Sequence, residues 1–437
     1  MTHGTVTFVT ANTFEFDSRH RRAAEALAAD GWRVVVVAMR APHLPADEVP
    51  AVGITVRRPV LSRRILDGLP GPLRRPLGRL VGLEAHAVTL PRRVTGPLER
   101  LRAPLRRGLE ILAYRRRVGP WASAVIAAAP EARVFVAKAL VALPVAAEAA
   151  RRTGGRYVYD IADLHVESGR LAALPGPLKA WLRARERRWM HGAAALLAVT
   201  PAMADEVARR YGVARPTVVM NAREPWQPDD AALAAAGEQL RAVAGVAPSC
   251  DVVLYQGAFR PDQGIDTLLA ALDDPLLADR APAAVFLGFG PLEDRLMALA
   301  LSRPGRVAVL PPVPSGELLG WTAGADVAFV GTPPTTRNQT LTTPNKLFES
   351  VMAGVPVVVA AGTWTAALVA REDLGAVVEP WAPAVLAREI AALLAAGPAD
   401  RVARRERIRG VALERLNWDV ERERLVETFR RLGEAGS

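Results

Sequence analysis

Thr343-Pro344-Asn345-Lys346-Leu347-Phe348-Glu349-Ser350-Val351-Met352-Ala353-Gly354-Val355-Pro356-Val357-Val358-Val359 is the stretch that decides the fold of this 437-residue chain. It reads as a loop, a short helix opened by polar residues, and a Gly-Val-Pro turn into a β-branched strand. Pro344 suits a helix start, where a missing N–H costs nothing. Asn345 and Lys346 stand one turn before Glu349, so all three share a helical face. The first turn of a helix offers unpaired N–H groups and partial positive charge, a seat for phosphate. A lysine there neutralises phosphate, and a carboxylate one turn on can accept two hydrogen bonds from a ribose diol. Phosphate beside ribose points to a nucleotide-sugar site.

Outward from this stretch, the same alternation of strand and helix fills the chain. Thr-Val-Thr-Phe-Val-Thr at 5–10 predicts a first strand, 21–29 a helix, Asp30-Gly31 a turn, and 33–38 a second strand. Continuous valine runs in a strand–helix–strand pattern indicate a parallel sheet covered on both faces. The pattern resumes at 134–137, 157–161, 196–200 and 217–220, with helices over 178–192, carrying Glu186, and 201–211. It runs again at 251–255, 283–287, 306–310, 326–330, 356–360 and 376–378. Between the two runs, 221–228 is polar and contains proline, as an interdomain linker would. The expectation is α/β, two doubly wound Rossmann-like domains over 1–222 and 223–405, facing a cleft. The length suits two domains of ordinary size.

Alanine and arginine replace much of the usual lysine, which suggests a GC-rich bacterial genome. The single cysteine, Cys250, excludes an internal disulfide framework and a multi-cysteine zinc site. It reads as a chance residue in the Pro-Ser-Cys-Asp approach to a strand. The chain opens with no basic segment followed by an apolar one, so no signal peptide is expected. The uncharged run 354–370 contains Gly and Pro and parses as strand, turn and helix, not as a span. A cytoplasmic chain is expected.

The net charge of +11 is unevenly placed. Between Arg57 and Arg117 the only acids are Asp67, Glu84, Glu99 and Glu110, while arginines interleave with Leu, Ile and Val. Such a surface favours anionic lipid headgroups or an anionic acceptor, which would bring the chain to the inner face of the membrane as a peripheral protein. A solvated arginine-rich insert without a ligand fits equally well. Nucleic acid is not expected, because Tyr114 is the lone aromatic in the stretch.

The segment Pro344–Glu349, with Asn338 ahead of it, resembles the donor-site motif of retaining family 4 glycosyltransferases of the GT-B fold. It is similar to the branch carrying an Asn shortly before Pro-Asn-Lys-Leu-Phe-Glu, and the resemblance spans nearly the whole chain. It implies a C-terminal helix, 406–437, crossing back onto the first domain with Trp418 as its aromatic anchor. It implies donor contacts from Gly257, from Gly288 and Gly290 of Gly288-Phe289-Gly290-Pro291, from the backbone at Val313, and from Asn338, Pro344, Asn345, Lys346 and Glu349. Two departures stand out. Ala258 and Gln263 occupy places where relatives carry basic residues, leaving Arg260 as the cation of that loop, either a substitute phosphate contact or a solvated arginine. Leu341 replaces the first of two glutamates, as in the rest of the branch, and Asn338 partly takes its place.

On the acceptor side, the stretch Tyr159-Asp160-Ile161-Ala162-Asp163-Leu164-His165-Val166-Glu167 resembles the Tyr-Asp-x-His-Glu-Leu of relatives, with Ala162 for the histidine and Asp163 for the glutamate. Asp163 is the first choice to polarise the acceptor hydroxyl, with a turn or cap role equally open. His165 is the second, with an intrinsic pKa of about 6.5. Lys138 stands where relatives often hold a histidine. Asp17 and Arg19 match an Asp-x-Arg after the first strand. No Asp-x-Asp lies beside a suitable strand, so neither metal nor cofactor is expected beyond the donor. The implied activity moves a hexose-like sugar from a nucleotide diphosphate sugar to a hydroxyl, with retention. The acceptor would be a lipid-linked glycan or a small molecule, in cell-surface polysaccharide, glycolipid or natural-product synthesis. The rivals are a pseudo-glycosyltransferase or sugar-nucleotide epimerase on the same fold, and a non-catalytic nucleotide-sugar-binding protein.

Overall fold

A computed structural model describes residues 3–60, 72, 97–172 and 174–434, and the chain divides into two compact units. The first comprises the residues up to Ala198, Ala204–Val218, and those from Arg424 on. Its strands are β1 (Thr5–Val9), β2 (Arg33–Val37), β3 (Asp47–Ala51), β4 (Ile54–Arg57), β5 (Val134–Lys138), β6 (Arg156–Ile161), β7 (Ala195–Ala198) and β8 (Thr217–Val218). They form one sheet in the order β3-β4-β2-β1-β5-β6-β7-β8. All neighbours run parallel except β3 against β4. The valines of β1, β2 and β5 are buried because helices cover both faces of a doubly wound sheet. Beneath it Glu186 is buried, accepting hydrogen bonds from the hydroxyls of Tyr159 (3.0 Å) and Tyr211 (2.5 Å), a structural role.

The β3–β4 hairpin was not expected from the sequence. Asp-Glu-Val-Pro-Ala shows no strand alternation, and its proline is tolerated because β3 lies at the sheet edge. A 32-residue helix, Pro97–Ala128, occupies the later part of the basic stretch. The first two arginines of that stretch are not lipid-facing. Arg57 donates to the Ala128 carbonyl, and Arg58 is buried, donating to the carbonyls of Thr13 and Pro45 and, at 2.8 Å, to Glu48. Residues 61–71 and 73–96, and the side chains of 97–110, 112 and 113, lie outside the described residues, so the expected membrane surface rests on sequence there.

The second unit comprises Val199–Met203 and Val219–Glu423. It holds β9 (Val252–Ala258), β10 (Ala283–Phe289), β11 (Val307–Leu310), β12 (Val327–Phe329), β13 (Val357–Ala360) and β14 (Gly375–Val378). All are parallel, in the order β11-β10-β9-β12-β13-β14. Tyr255, Phe259, Phe286 and Phe329 pack as a buried aromatic cluster under β9. The helix Asn345–Met352 is buried from Lys346 onward, so it is a core helix whose polar residues are enclosed.

The chain turns to the first unit at Arg424, so 406–423 stays with the second, where the expected crossing helix would have left it. Trp418 is buried in the second unit and its backbone N–H donates to the Arg223 carbonyl at 2.7 Å. The aromatic that anchors the helix Trp418–Glu434 to the first unit is Phe429, edge-on to Trp32 with ring centroids 6.2 Å apart. Beside it, Arg430 Nε donates to Asp30 at 3.0 Å.

Candidate functional site

In each sheet the strand order reverses once, between β1 and β5 and between β9 and β12. Ligands of open α/β sheets bind outside the carboxyl ends of the strands at such points. In the second unit, β9 ends there with Tyr255 and Gln256 on opposite faces. Lys346 and Glu349 approach from the helix Asn345–Met352, both buried. The Lys346 ammonium lies 4.0 Å from the centroid of the Tyr255 ring and donates to Gln263 Oε1 at 3.2 Å. Burial pushes its pKa down to about 7, against the upward pull of Glu349 and Asp262. Glu349 Oε2 accepts from Gln256 Nε2 at 2.6 Å, and Gln256 Oε1 accepts from the Thr322 hydroxyl at 2.8 Å. A cation on an aromatic face, one turn from a braced carboxylate, is suited to a diphosphate and a diol. Gln256 was not singled out from the sequence; a lone amide at the last buried position of a valine-rich strand is the signal that marks it.

The glycines close to this point are there for backbone approach. Gly288 pairs with Gly257 in the ladder, and a Cβ on Gly288, at φ +148°, would lie 2.1 Å from the Gly257 carbonyl oxygen. A Cβ on Gly290 would meet the Phe259 backbone at 2.7 Å. Pro344 is the N-cap residue of the helix, in extended conformation, and Asn345 is half-buried at its first position. Val313 lies half-buried in the loop after β11. Asn338 is buried in the short helix Arg337–Leu341, which Thr336 opens with a capping box to Gln339. Leu341 is buried as well, and its carbonyl accepts from the Thr200 hydroxyl at 2.5 Å. Arg260 is an exposed side chain that grips Asp262 with Nε (3.0 Å) and Nη2 (2.5 Å). Its charge is therefore shared with an acid of its own loop.

In the first unit, the carboxyl ends of β1, β5 and β6 bring Asp17, Arg19, Lys138, Asp163 and His165 together with two residues to which the sequence had given no role, His20 and Asp160. Asp17 caps the helix Ser18–Ala29, accepts from Asn12 Nδ2 at 2.9 Å and pairs with Lys138 Nζ at 2.5 Å. Arg19 makes a bidentate pair with Asp160, at 2.7 and 2.6 Å, and His20 Nε2 lies 3.1 Å from the same carboxylate. Burial opposes the charge of both carboxylates, yet His20 and Lys138 hold Asp17, and Arg19 and His20 hold Asp160, well below the usual range. Burial likewise works against charge on His20, and Asp17 and the bond to Asp160 outweigh it, so His20 is raised. Asp17 and Arg19, expected as acceptor contacts, are thus internal members of a buried ion network; Lys138, a quarter exposed, is its accessible member. Asp163 is half-buried just past β6, and it is not the cap of the short 3-10 turn His165–Glu167, which Leu164 occupies. His165 Nε2 is buried without a hydrogen-bond partner. Burial lowers its pKa, Asp163 opposes this and Lys138 reinforces it, so the ring stays neutral near pH 7. Two non-glycine residues in left-handed conformation flank this cluster, Phe14 (φ 67°) after β1 and Ala139 (φ 66°) after β5. Strain of this kind collects at functional sites.

Residues 250–396 match the family model described as glycosyl transferases group 1. The curated D-inositol 3-phosphate glycosyltransferase of Segniliparus rotundus is 30% identical over 197 residues, a match that spans 44% of this chain and 42% of that protein. Among solved structures, sucrose-phosphate synthase of Thermosynechococcus elongatus superposes with a TM-score of 0.70 at 17% identity, covering 99% of each chain. HepE of Anabaena, solved with UDP and glucose, superposes with a TM-score of 0.65 at 16% identity, covering 98% of this chain and 100% of that one. The solved structures show that this chain has the GT-B fold, and the family match runs from β9 to the helix Pro383–Ala395 of the second unit.

Proposed function

We propose that this protein is a retaining glycosyltransferase of the family 4 type, taking a nucleoside diphosphate sugar as donor. The observation that carries this reading is the pair on one helix: Lys346 laid on Tyr255 and Glu349 braced by Gln256, at the switch point of the second sheet. The group 1 match over that unit and the UDP held by HepE support it. The departing diphosphate carries the developing charge of the transfer, and the start of the helix Asn345–Met352 and Lys346 supply preorganised positive potential for it. The carboxylate of Glu349 accepts the ribose hydroxyls. The Gly257–Gly288–Gly290 turns and the backbone at Val313 line the nucleotide, and Asn338 serves the sugar.

The acceptor is assigned to the first unit. Asp163, with His165 beside it, polarises the attacking hydroxyl, and Lys138 binds an anionic group of the acceptor. Among the described residues no group of three or more His, Cys, Asp or Glu is placed to hold a metal, and the mechanism proposed here uses none. Among the described residues no helix is long and apolar enough to cross a membrane. The arginine-rich 57–117 region would bring the chain to anionic lipid at the cytoplasmic face, where a lipid-linked glycan is the acceptor; a small molecule is the alternative.

Binding without transfer is the second reading, favoured by the self-paired Arg260 and by the buried Leu341 where an acid would contact the donor sugar. Incubation with labelled nucleotide sugars and a panel of acceptors separates the two, since only a transferase moves label to an acceptor. A preceding thermal-shift screen picks the donor, because a ligand of the native state raises its stability. Glu349→Gln should weaken nucleoside diphosphate binding by about 1.5–3 kcal/mol, the worth of a charge-assisted hydrogen bond. Unchanged affinity by calorimetry removes Glu349 from the site.

A further inference from the structure

Three buried polar side chains from three elements form a single file in the second unit: Thr322 of the helix Leu318–Ala323, Gln256 of β9 and Glu349 of the helix Asn345–Met352. The two links are 2.8 and 2.6 Å long. The file has a direction. A carboxylate only accepts, so the Gln256 amide must turn its NH2 to Glu349 and its oxygen to Thr322. The Thr322 hydroxyl has one proton and two acceptors in reach, Gln256 Oε1 at 2.8 Å and the Leu318 carbonyl at 2.7 Å. With the Gln256 oxygen turned to Thr322, the proton belongs to Gln256, since otherwise two oxygens would face each other without a hydrogen. Each member thus fixes the rotor of the next, and the last rotor is the carboxylate proposed to bind ribose.

We infer that Gln256 is a positioning residue: held by Thr322, it binds Oε2 of Glu349 and so fixes the carboxylate in the orientation that meets the nucleotide. The inference rests on Glu349 being the ribose contact. A glutamate on a short helix has three side-chain rotors, and a carboxylate that must find its pose on binding gives up affinity to ordering. Gln256 removes that freedom in advance. The residue acts through Glu349 and touches no reacting atom, so its effect must be specific to the ribose hydroxyls.

The test is calorimetry on the full chain with UDP, GDP or ADP, whichever binds, and with the 2′,3′-dideoxyribose form of the same nucleotide. Gln256→Leu should weaken the ribonucleotide about tenfold. It should change the dideoxy form by less than about twofold, and should do equally little in a Glu349→Gln background, as coupled residues do. Thr322→Val, which keeps the shape and removes the hydroxyl, should give part of the loss, and Thr322→Ser should restore it. An equal loss for both nucleotides, or a loss that persists with Glu349→Gln, overturns the inference and makes Gln256 a packing residue. So does unchanged affinity in Gln256→Leu. If Gln256→Leu does not fold, the Thr322→Val and Thr322→Ser pair decides on the same criteria. A wild-type chain that binds none of the three nucleotides defeats the underlying donor assignment and the inference with it.

Discussion

The ammonium of Lys346 rests 4.0 Å from the centroid of the Tyr255 ring, enclosed, and donates to Gln263 Oε1 at 3.2 Å. Burial lowers its pKa from 10.5 to about 7. Between those values the unfolded chain holds a proton that the folded chain lacks, so stability rises as pH climbs from about 7 to 10.5. A diphosphate favours the ammonium and reverses this locally. Nucleoside diphosphate binding at pH 8 should take up a proton, and affinity should fall as pH rises above 7. Calorimetry in buffers of different ionisation enthalpy measures the uptake, and Lys346→Met should abolish both the uptake and the pH slope. Zero uptake in the wild type would mean that Lys346 does not meet phosphate.

Arg260 spends its guanidinium on Asp262. Arg260→Ala should therefore change turnover by less than about threefold, within the modest worth of an exposed pair. Asp262→Asn should release the cation and tighten nucleoside diphosphate binding by a similar factor. A large loss in Arg260→Ala would show that the arginine leaves its pair to hold phosphate.

Asp163→Asn should lower kcat more than tenfold and leave donor affinity nearly unchanged, because the group acts on the acceptor hydroxyl in the transition state. His165→Ala should be milder. If Asp163→Asn melts the protein while His165→Ala abolishes turnover, the roles are reversed, and the unpartnered Nε2 of His165 is the base.

Peripheral binding through 57–117 should need anionic lipid and weaken with salt, since each basic residue near such a surface contributes about 1 kcal/mol and is screened. Liposome co-sedimentation at low and high salt reads this out. No binding at low salt favours a soluble acceptor.

The strands were legible because valine-rich runs covered on both faces carry their own signal, and the helix Asn345–Met352 because Asn345, Lys346 and Glu349 fall about a turn apart behind Pro344. The edge strand β3 was not, since its pattern is broken by acids and proline. What braces each site was also out of reach: Gln256 and Glu349 lie 93 residues apart, Arg19 and Asp160 141 apart. Short-range periodicity says nothing about such pairs. For the same reason the sequence did not show that Arg19, expected as an acceptor contact, has a bidentate partner within the chain.

Phe429 and Arg430 close over Trp32 and Asp30 in the first unit, although the whole second sheet lies between them in sequence. During synthesis the indole side of the first unit therefore waits for its cover. The stretch from Val219 to Glu423 must be translated first, which takes roughly 10–40 s at ordinary elongation rates. Over that interval the nascent chain lacks the Phe429 ring that meets Trp32 in the finished molecule, and a truncation just past β14 would remove it for good.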